Sequence, residues 1–229
     1  MSDATDTEPM LVTTLDAWRS GGDQLPVDDD RTAWAADDES ALLVADALAP
    51  TAQILVVTPR AASPTAGHLP AGKVRWARRG PAGRHTELLH RPSTAETLDL
   101  LPHPEGGWFR ETWRSAHTFA PTDYPGPRAA ATGILFLLPE HEQSIWHAVR
   151  SDELWMWHRG GPLELLLGGD SDTPTTTETV ILGPAIESGQ RVQQLVPAGN
   201  WQAARPCGGA EVLVSCVVAP GFDFEDFRS

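Results

Sequence analysis

The residues best able to do chemistry lie close together in the segment Ser144-Ile-Trp-His147-Ala-Val149-Arg-Ser-Asp-Glu153-Leu-Trp155-Met-Trp157-His158. With a strand's period of two, His147 and Val149 share one face. After a turn at Arg150-Ser151-Asp152, Glu153, Trp155 and Trp157 share a face, with Leu154, Met156 and His158 opposite. With both odd-numbered sets pointing inward, His147 and Glu153 converge across a hairpin beside two indoles. An imidazole and a carboxylate in an aromatic cavity can bind a divalent metal or move a proton. The same two residues can equally form a structural hydrogen-bonded pair among core tryptophans. The pattern alone leaves these readings open.

Two further segments carry polar groups at positions that special turns would deliver. In Val196-Pro197-Ala198-Gly199-Asn200-Trp201-Gln202 a tight turn brings forward Gln202, which offers both a carbonyl oxygen and an amide. In His103-Pro-Glu105-Gly106-Gly107-Trp108-Phe109-Arg110-Glu111-Thr112-Trp113-Arg114 the paired glycines mark a bulge or a close backbone approach. An inward Arg110 would suit a carboxylate or phosphate. The competing reading places Arg110 or Glu111 in a surface ion pair.

The elements that must position these groups are short strands. From Ala129 onward apolar runs recur at strand spacing: Thr132–Leu138, Ser144–Val149, Glu153–His158, Leu163–Leu167, Glu178–Leu182, Arg191–Val196 and Val212–Val218. Gly-, Pro- and Asp-rich turns separate them, the pattern of a sandwich or barrel. Phe222, Phe224 and Phe227 alternate with acids and read as a C-terminal strand. Before this region the texture differs. A helix is expected around Leu11–Ser20 and a strand at Gln53–Val57, and the stretch Pro59–Gly83 reads as loop or linker. His68, His85, His90 and His117 fall in polar contexts and are expected at the surface.

The chain has 229 residues, 41% of them hydrophobic, and a formal charge of −14. That charge argues against a nucleic-acid partner. The basic stretch containing Arg75, Arg78, Arg79 and Arg84 reads as a solvated run facing acidic neighbours. No apolar run is long enough for a membrane helix, and Met1–Pro9 lacks the features of a signal peptide, so a cytoplasmic location is expected. Of the two cysteines, Cys216 reads as a buried small hydrophobe; a disulfide to Cys207 is the less favoured alternative.

Taken together, His147-x-Val149 followed by Glu153 and Gly160 resembles the first motif of the cupins, and Pro197-x-Gly199-x-x-Gln202 resembles the second. The pieces HPEGGWFRETWRS, SIWHAVRSDELWMW, GPLELLL, VPAGNWQAARP and VAPGFDFEDF are similar to a small cupin family often labelled sugar-epimerase-like, and they span about residues 97–229. Relative to the general cupin metal pattern, Val149 stands at the second histidine and Gln202 at the third.

The resemblance implies an all-β fold, a double-stranded β-helix or jelly roll over residues 92–229, with residues 1–91 forming an α/β extension. It implies a homodimer and a small-molecule substrate. The function it favours is an isomerase, epimerase or lyase acting on a polar, anionic or sugar-type compound. In that reading His147 is the general base, Glu153 its orienter or acid partner and Arg110 an anion clamp. Glu111, Trp108, Ser144, Trp155, Trp157 and Gln202 face the substrate. The alternatives are a metal-dependent oxygenase or lyase, and a non-catalytic barrel that binds a ligand between tryptophans. The metal set would be His147, Glu153 and Gln202. An amide oxygen is a poor ligand for a transition metal, so the expectation is no cofactor or a weakly held Fe, Ni, Mn or Zn ion.

Overall fold

A computed structural model describes residues 9–21, 24–27, 29–48, 53–59 and 68–229. The chain divides into two compact units, Met1–Pro92 and Ser93–Ser229.

In the first unit the elements are β1 (Met10–Thr14), α1 (Leu15–Gly21), β2 (Gln24–Pro26), β3 (Thr32–Ala35), α2 (Asp38–Leu48), β4 (Ile54–Pro59), β5 (His68–Arg79) and β6 (His85–Leu89). The strands form one antiparallel sheet in the order β2-β5-β4-β1-β3, with β6 also paired to β5. Its core is Met10, Val12, Ile54, Val56 and Ala77 from the sheet against Ala41 and Ala45 of α2. Asp37 starts α2 by accepting the Ser40 backbone N–H at 2.7 Å.

Three expectations for this unit are corrected. The segment expected as a helix from Leu11 begins as strand β1, because Leu11 and Val12 pair with both β3 and β4 and are wholly buried. The stretch read as a linker contains β5, the longest strand of the unit; its ladders to β2, β4 and β6 override the Pro- and Gly-rich composition. Residues 60–67 lie outside the described residues. His85 is buried rather than exposed, its Nδ1 2.8 Å from Asp46 Oδ1. Two arginines of β5 do face acids: Arg75 pairs with Asp38 and Arg78 with Glu87.

The second unit opens with α3 (Ser93–Thr97) and β7 (Leu101–Pro102), followed by β8 (Trp108–Arg114), β9 (Thr118–Phe119), β10 (Arg128–Ala129), β11 (Thr132–Leu138), β12 (Ser144–Val149) and β13 (Asp152–Gly160). It continues with β14 (Leu163–Leu167), β15 (Glu178–Leu182), β16 (Gln193–Val196), β17 (Trp201–Pro206), β18 (Val212–Ala219) and β19 (Phe227–Arg228). Two antiparallel sheets result, β16-β13-β18-β11-β8-β7 and β15-β14-β17-β12-β19, with β9 and β10 as a separate ribbon. Phe136, Trp155, Val214 and Cys216 from the first sheet meet Leu163, Leu165, Val180 and Ala204 from the second in one core. This is the two-layer logic of a jelly roll, each sheet burying alternate residues. The all-β expectation with an α/β extension holds.

The C-terminus is not a continuous strand. A 3₁₀ turn at Phe224–Asp226 interrupts it, fastened by Asp226, whose fully buried carboxylate accepts from Arg128 Nε at 2.7 Å and Arg150 Nε at 3.1 Å. Cys207 and Cys216 are both free thiols. Among the described residues no helix is long and apolar enough to cross a membrane.

Because its core cluster is drawn entirely from residues 136–216, the second unit is expected to fold alone. Residues 93–229 expressed by themselves should melt in one cooperative transition; an insoluble or molten product would show that residues 1–92 supply essential surface.

Candidate functional site

A cavity of about 210 Å³ is lined mainly by β8, β11, β13 and β18 of the first sheet. Phe109, Ile134, Phe136, Val149, Trp155 and Val218 give it apolar walls, and Phe222 and Phe224 of the C-terminal segment complete them. Its polar lining includes His103, Glu105, Glu111, Arg114, Glu153 and Cys216.

Glu105 is held there by its neighbours in the chain. Gly106 and Gly107 adopt φ of +111° and +73°, a region that favours glycine. A Cβ on Gly106 would lie 2.0 Å from the Gln143 carbonyl oxygen, so only glycine lets the turn sit against β12. The Gly107 N–H and the Trp108 indole donate to Glu142 at 2.9 and 3.2 Å, and the Glu105 carbonyl accepts from the Ile145 N–H at 2.9 Å. The turn thus aims the Glu105 side chain at β12, where Ser144 Oγ donates to Glu105 Oε2 at 3.1 Å and His147 Nδ1 stands 3.4 Å away.

The two buried imidazoles have tautomers fixed by their partners. The Glu105 backbone N–H donates to His103 Nδ1 at 3.3 Å, so that nitrogen carries a lone pair. His147 Nδ1 lies 2.9 Å from the Ile145 carbonyl, which can only accept, so Nδ1 carries the proton and Nε2 the lone pair. Phe227 stacks on the His147 ring at 5.6 Å.

Glu153 enters from β13 and Gln202 from β17. The Trp155 indole can only donate, and it donates to Gln202 Oε1 at 2.8 Å. This orients the amide and sends its N–H₂ to Glu153 Oε2 at 2.5 Å. In β12, His147 is the cross-strand partner of Gln202. Gln202 and Glu153 are therefore hydrogen-bonded to each other, with His147 beside Gln202 on the neighbouring strand, and the three do not form a ligand set. The group that Gln202 turns towards Glu153 is a donor, unfit for a cation, and its oxygen is taken by the indole. Among the described residues no His, Cys, Asp or Glu cluster of three or more is arranged to hold a metal ion. The donor set does not fit the metal that a cupin barrel can carry.

Burial raises both carboxyls. Burial pushes Glu105 up to about 8, opposed only in part by the Ser144 hydroxyl. Glu153 is likewise raised, by burial first and by the neighbouring Glu105, with His147 and the Gln202 amide opposing only part of the shift. Burial lowers His147, opposed in part by Glu153. Cys216, facing Glu153, is raised well above an ordinary thiol by burial, so it is no ready nucleophile.

Several expected site residues lie elsewhere. Arg110 is exposed on the outer face of β8, opposite to Phe109 and Glu111. Trp108 is wholly buried, bonded to Glu142, and does not line the cavity. Trp157 packs on the core edge and donates to the Gly161 carbonyl at 3.1 Å. Ser144, Gln202 and His147 stand behind the wall and support the residues that line it. Glu111 and Trp155 do line it.

Arg114 takes the place expected of Arg110, for a geometric reason. Ile134 pairs with Glu111 and Gly133 with Trp113, so Thr112 is an extra residue in β8. This β-bulge reverses the alternation, and Arg114, opposite the inward Thr132, joins Phe109 and Glu111 on the cavity face. The Thr112 hydroxyl donates to the Gly133 carbonyl at 3.3 Å within the bulge.

A family model described as the cupin superfamily (DUF985) matches residues 93–229, and the chain belongs to that superfamily. It is 29% identical over 153 residues to an uncharacterised protein of Saccharomyces cerevisiae, covering 59% of this chain and 74% of the yeast protein. A hypothetical protein from Leishmania major is 35% identical, with a TM-score of 0.53 over 58% of this chain and 83% of that one. A protein from Shewanella oneidensis is 34% identical, with a TM-score of 0.52 over 59% of this chain and 80% of that one.

Two outcomes follow from this geometry. A carboxyl with a folded-state pKa of about 8 and an ordinary value of 4.5 binds more protons in the folded protein between those pH values. Its stabilising contribution is complete below about pH 4.5 and is lost as pH rises through about 8. Glu105→Gln removes that loss, so the variant's stability relative to the unsubstituted protein should increase from pH 5 to pH 8 in chemical denaturation. Parallel stability–pH curves for the two proteins would refute the raised pKa. Gly106→Ala should cost on the order of 3 kcal/mol, measured the same way, since it combines a disfavoured φ with a backbone clash.

Proposed function

We propose that residues 93–229 form an enzyme that moves a proton next to a carbonyl group of a small molecule without a metal, an isomerase, epimerase or lyase. The observation that carries this reading is the pair Glu105 and Glu153, two buried carboxyls lining one apolar cavity, each with its own hydrogen-bond donor. Such pairs divide into acid and base. Glu105, protonated at neutral pH, donates to the substrate oxygen. Glu153, which accepts from the Gln202 amide, takes the carbon-bound proton. His147 is a positioning residue in this reading, rather than the general base its sequence context suggests. Its Nδ1–H is committed to the Ile145 carbonyl, and the ring braces Glu105 at 3.4 Å. The cavity volume lies below the ~300 Å³ at which drug-sized pockets begin, which favours a small substrate.

Deuterium wash-in in D₂O, followed by proton NMR on a panel of small α-hydrogen carbonyl compounds, tests the reading. Exchange above the buffer rate should survive exhaustive chelation. It should fall by about 10²–10⁴ in Glu105→Gln and in Glu153→Gln. Loss on chelation with restoration by Fe²⁺, Ni²⁺ or Mn²⁺ would replace it with metal chemistry. Tight binding of panel compounds with no exchange would make the barrel a ligand-binding module.

A further inference from the structure

The cavity lining changes character from its deep end to its mouth. Glu105 and Glu153, each 7% exposed, mark the deep end. Phe109, Ile134, Phe136 and Val218 form an apolar waist. At the mouth stand Glu111 and Arg114, with side chains 42% and 49% exposed. Arg114 donates to Glu111 through Nε at 3.0 Å and Nη2 at 2.6 Å, and no described residue engages its Nη1. The bulge at Thr112 is what turns this guanidinium inward; regular alternation would have presented Trp113 instead.

We propose that Arg114 determines the site's specificity, and that its ligand is a small apolar-bodied monocarboxylate. The inference rests on the reading of the cavity as a small-molecule site. A planar guanidinium matches a carboxylate in a two-point fork. In the free protein Glu111 occupies that fork as a carboxylate of this very chain, which shows the geometry to be accessible. An exposed ion pair of this kind contributes little stability, so an incoming carboxylate displaces Glu111 readily. Charge selects a monoanion over a phosphate dianion, because Glu111 and Asp223 both border the mouth and Arg114 is the sole cation among its lining residues. The waist selects an apolar body over a sugar. Hydroxyl groups buried against Phe109, Ile134, Phe136 and Val218 would lose water without gaining partners. With the carboxylate at Arg114, the opposite end of the ligand reaches towards Glu105 and Glu153.

Titration calorimetry on the full chain tests this with 3-phenylpropionate and its neutral amide of the same shape. The acid should bind at least about tenfold more tightly than the amide, the span of a charge-assisted hydrogen bond. Arg114→Gln should erase that preference while leaving amide binding and melting temperature close to those of the unsubstituted protein. Glu111→Gln, which removes the competing carboxylate, should tighten the acid severalfold and leave the amide unchanged. Equal binding of acid and amide, or a preference that survives Arg114→Gln, overturns the proposal while leaving a small-molecule cavity in place. If neither compound binds, the ligand class is wrong, and the proton-transfer reading is judged separately by the exchange assay.

Discussion

The site depends on keeping two carboxyls out of water inside an apolar cavity. An isolated ionised carboxylate there would be costly, so each group either holds its proton or finds donors. Glu105 does the first, with the Ser144 hydroxyl as its main donor. Glu153 does the second through the Gln202 amide, whose direction is fixed by the Trp155 indole. Much of the surrounding structure serves this arrangement. The Gly106-Gly107 turn, the Glu142 anchor beneath it and the cross-strand pairing of His147 with Gln202 all hold the two groups where they are.

The same arrangement explains how a cupin barrel can depart from the general metal pattern of its superfamily. Val149 contributes a wall of the cavity, and Gln202 contributes a donor directed at Glu153. With those two positions changed, the surviving histidine is better placed to brace a carboxyl than to complete a ligand set. In the proposed proton-transfer reading, the reacting groups are the two carboxyls, both raised by burial.

Much of the barrel was legible in the sequence because short apolar runs recur at strand spacing with turn residues between them. The runs from Thr132 to Val218 appear in the structure with ends shifted by a residue or two. The convergence of His147, Glu153 and Gln202 was expected from strand parity for the first two and from motif order for Gln202. What parity could not show was where it breaks. The extra residue Thr112 in β8 exchanges the faces of Trp113 and Arg114, and no residue type in that stretch announces a bulge. Arg110 was misplaced by the opposite error, assigned to the cavity face although Phe109 and Glu111 alternate onto it. Glu105 was present in the His-Pro-Glu-Gly-Gly segment, yet its importance comes from the distant Ser144 and His147, which no local pattern reveals. The Asp46 partner of His85 and the three ladders of β5 are likewise long-range contacts, invisible to a reading of composition.

The central claim is that Glu105 remains a neutral acid at physiological pH, facing the cavity. Difference infrared spectroscopy across a pH titration, with Glu105→Gln as the subtraction control, observes that proton directly through the carboxylic-acid carbonyl stretch. A Glu105-dependent band that disappears with a midpoint near pH 8 is the result expected from the burial and hydrogen bonding described above. A midpoint near the ordinary 4.5 would contradict it, and with it the division of Glu105 and Glu153 into acid and base.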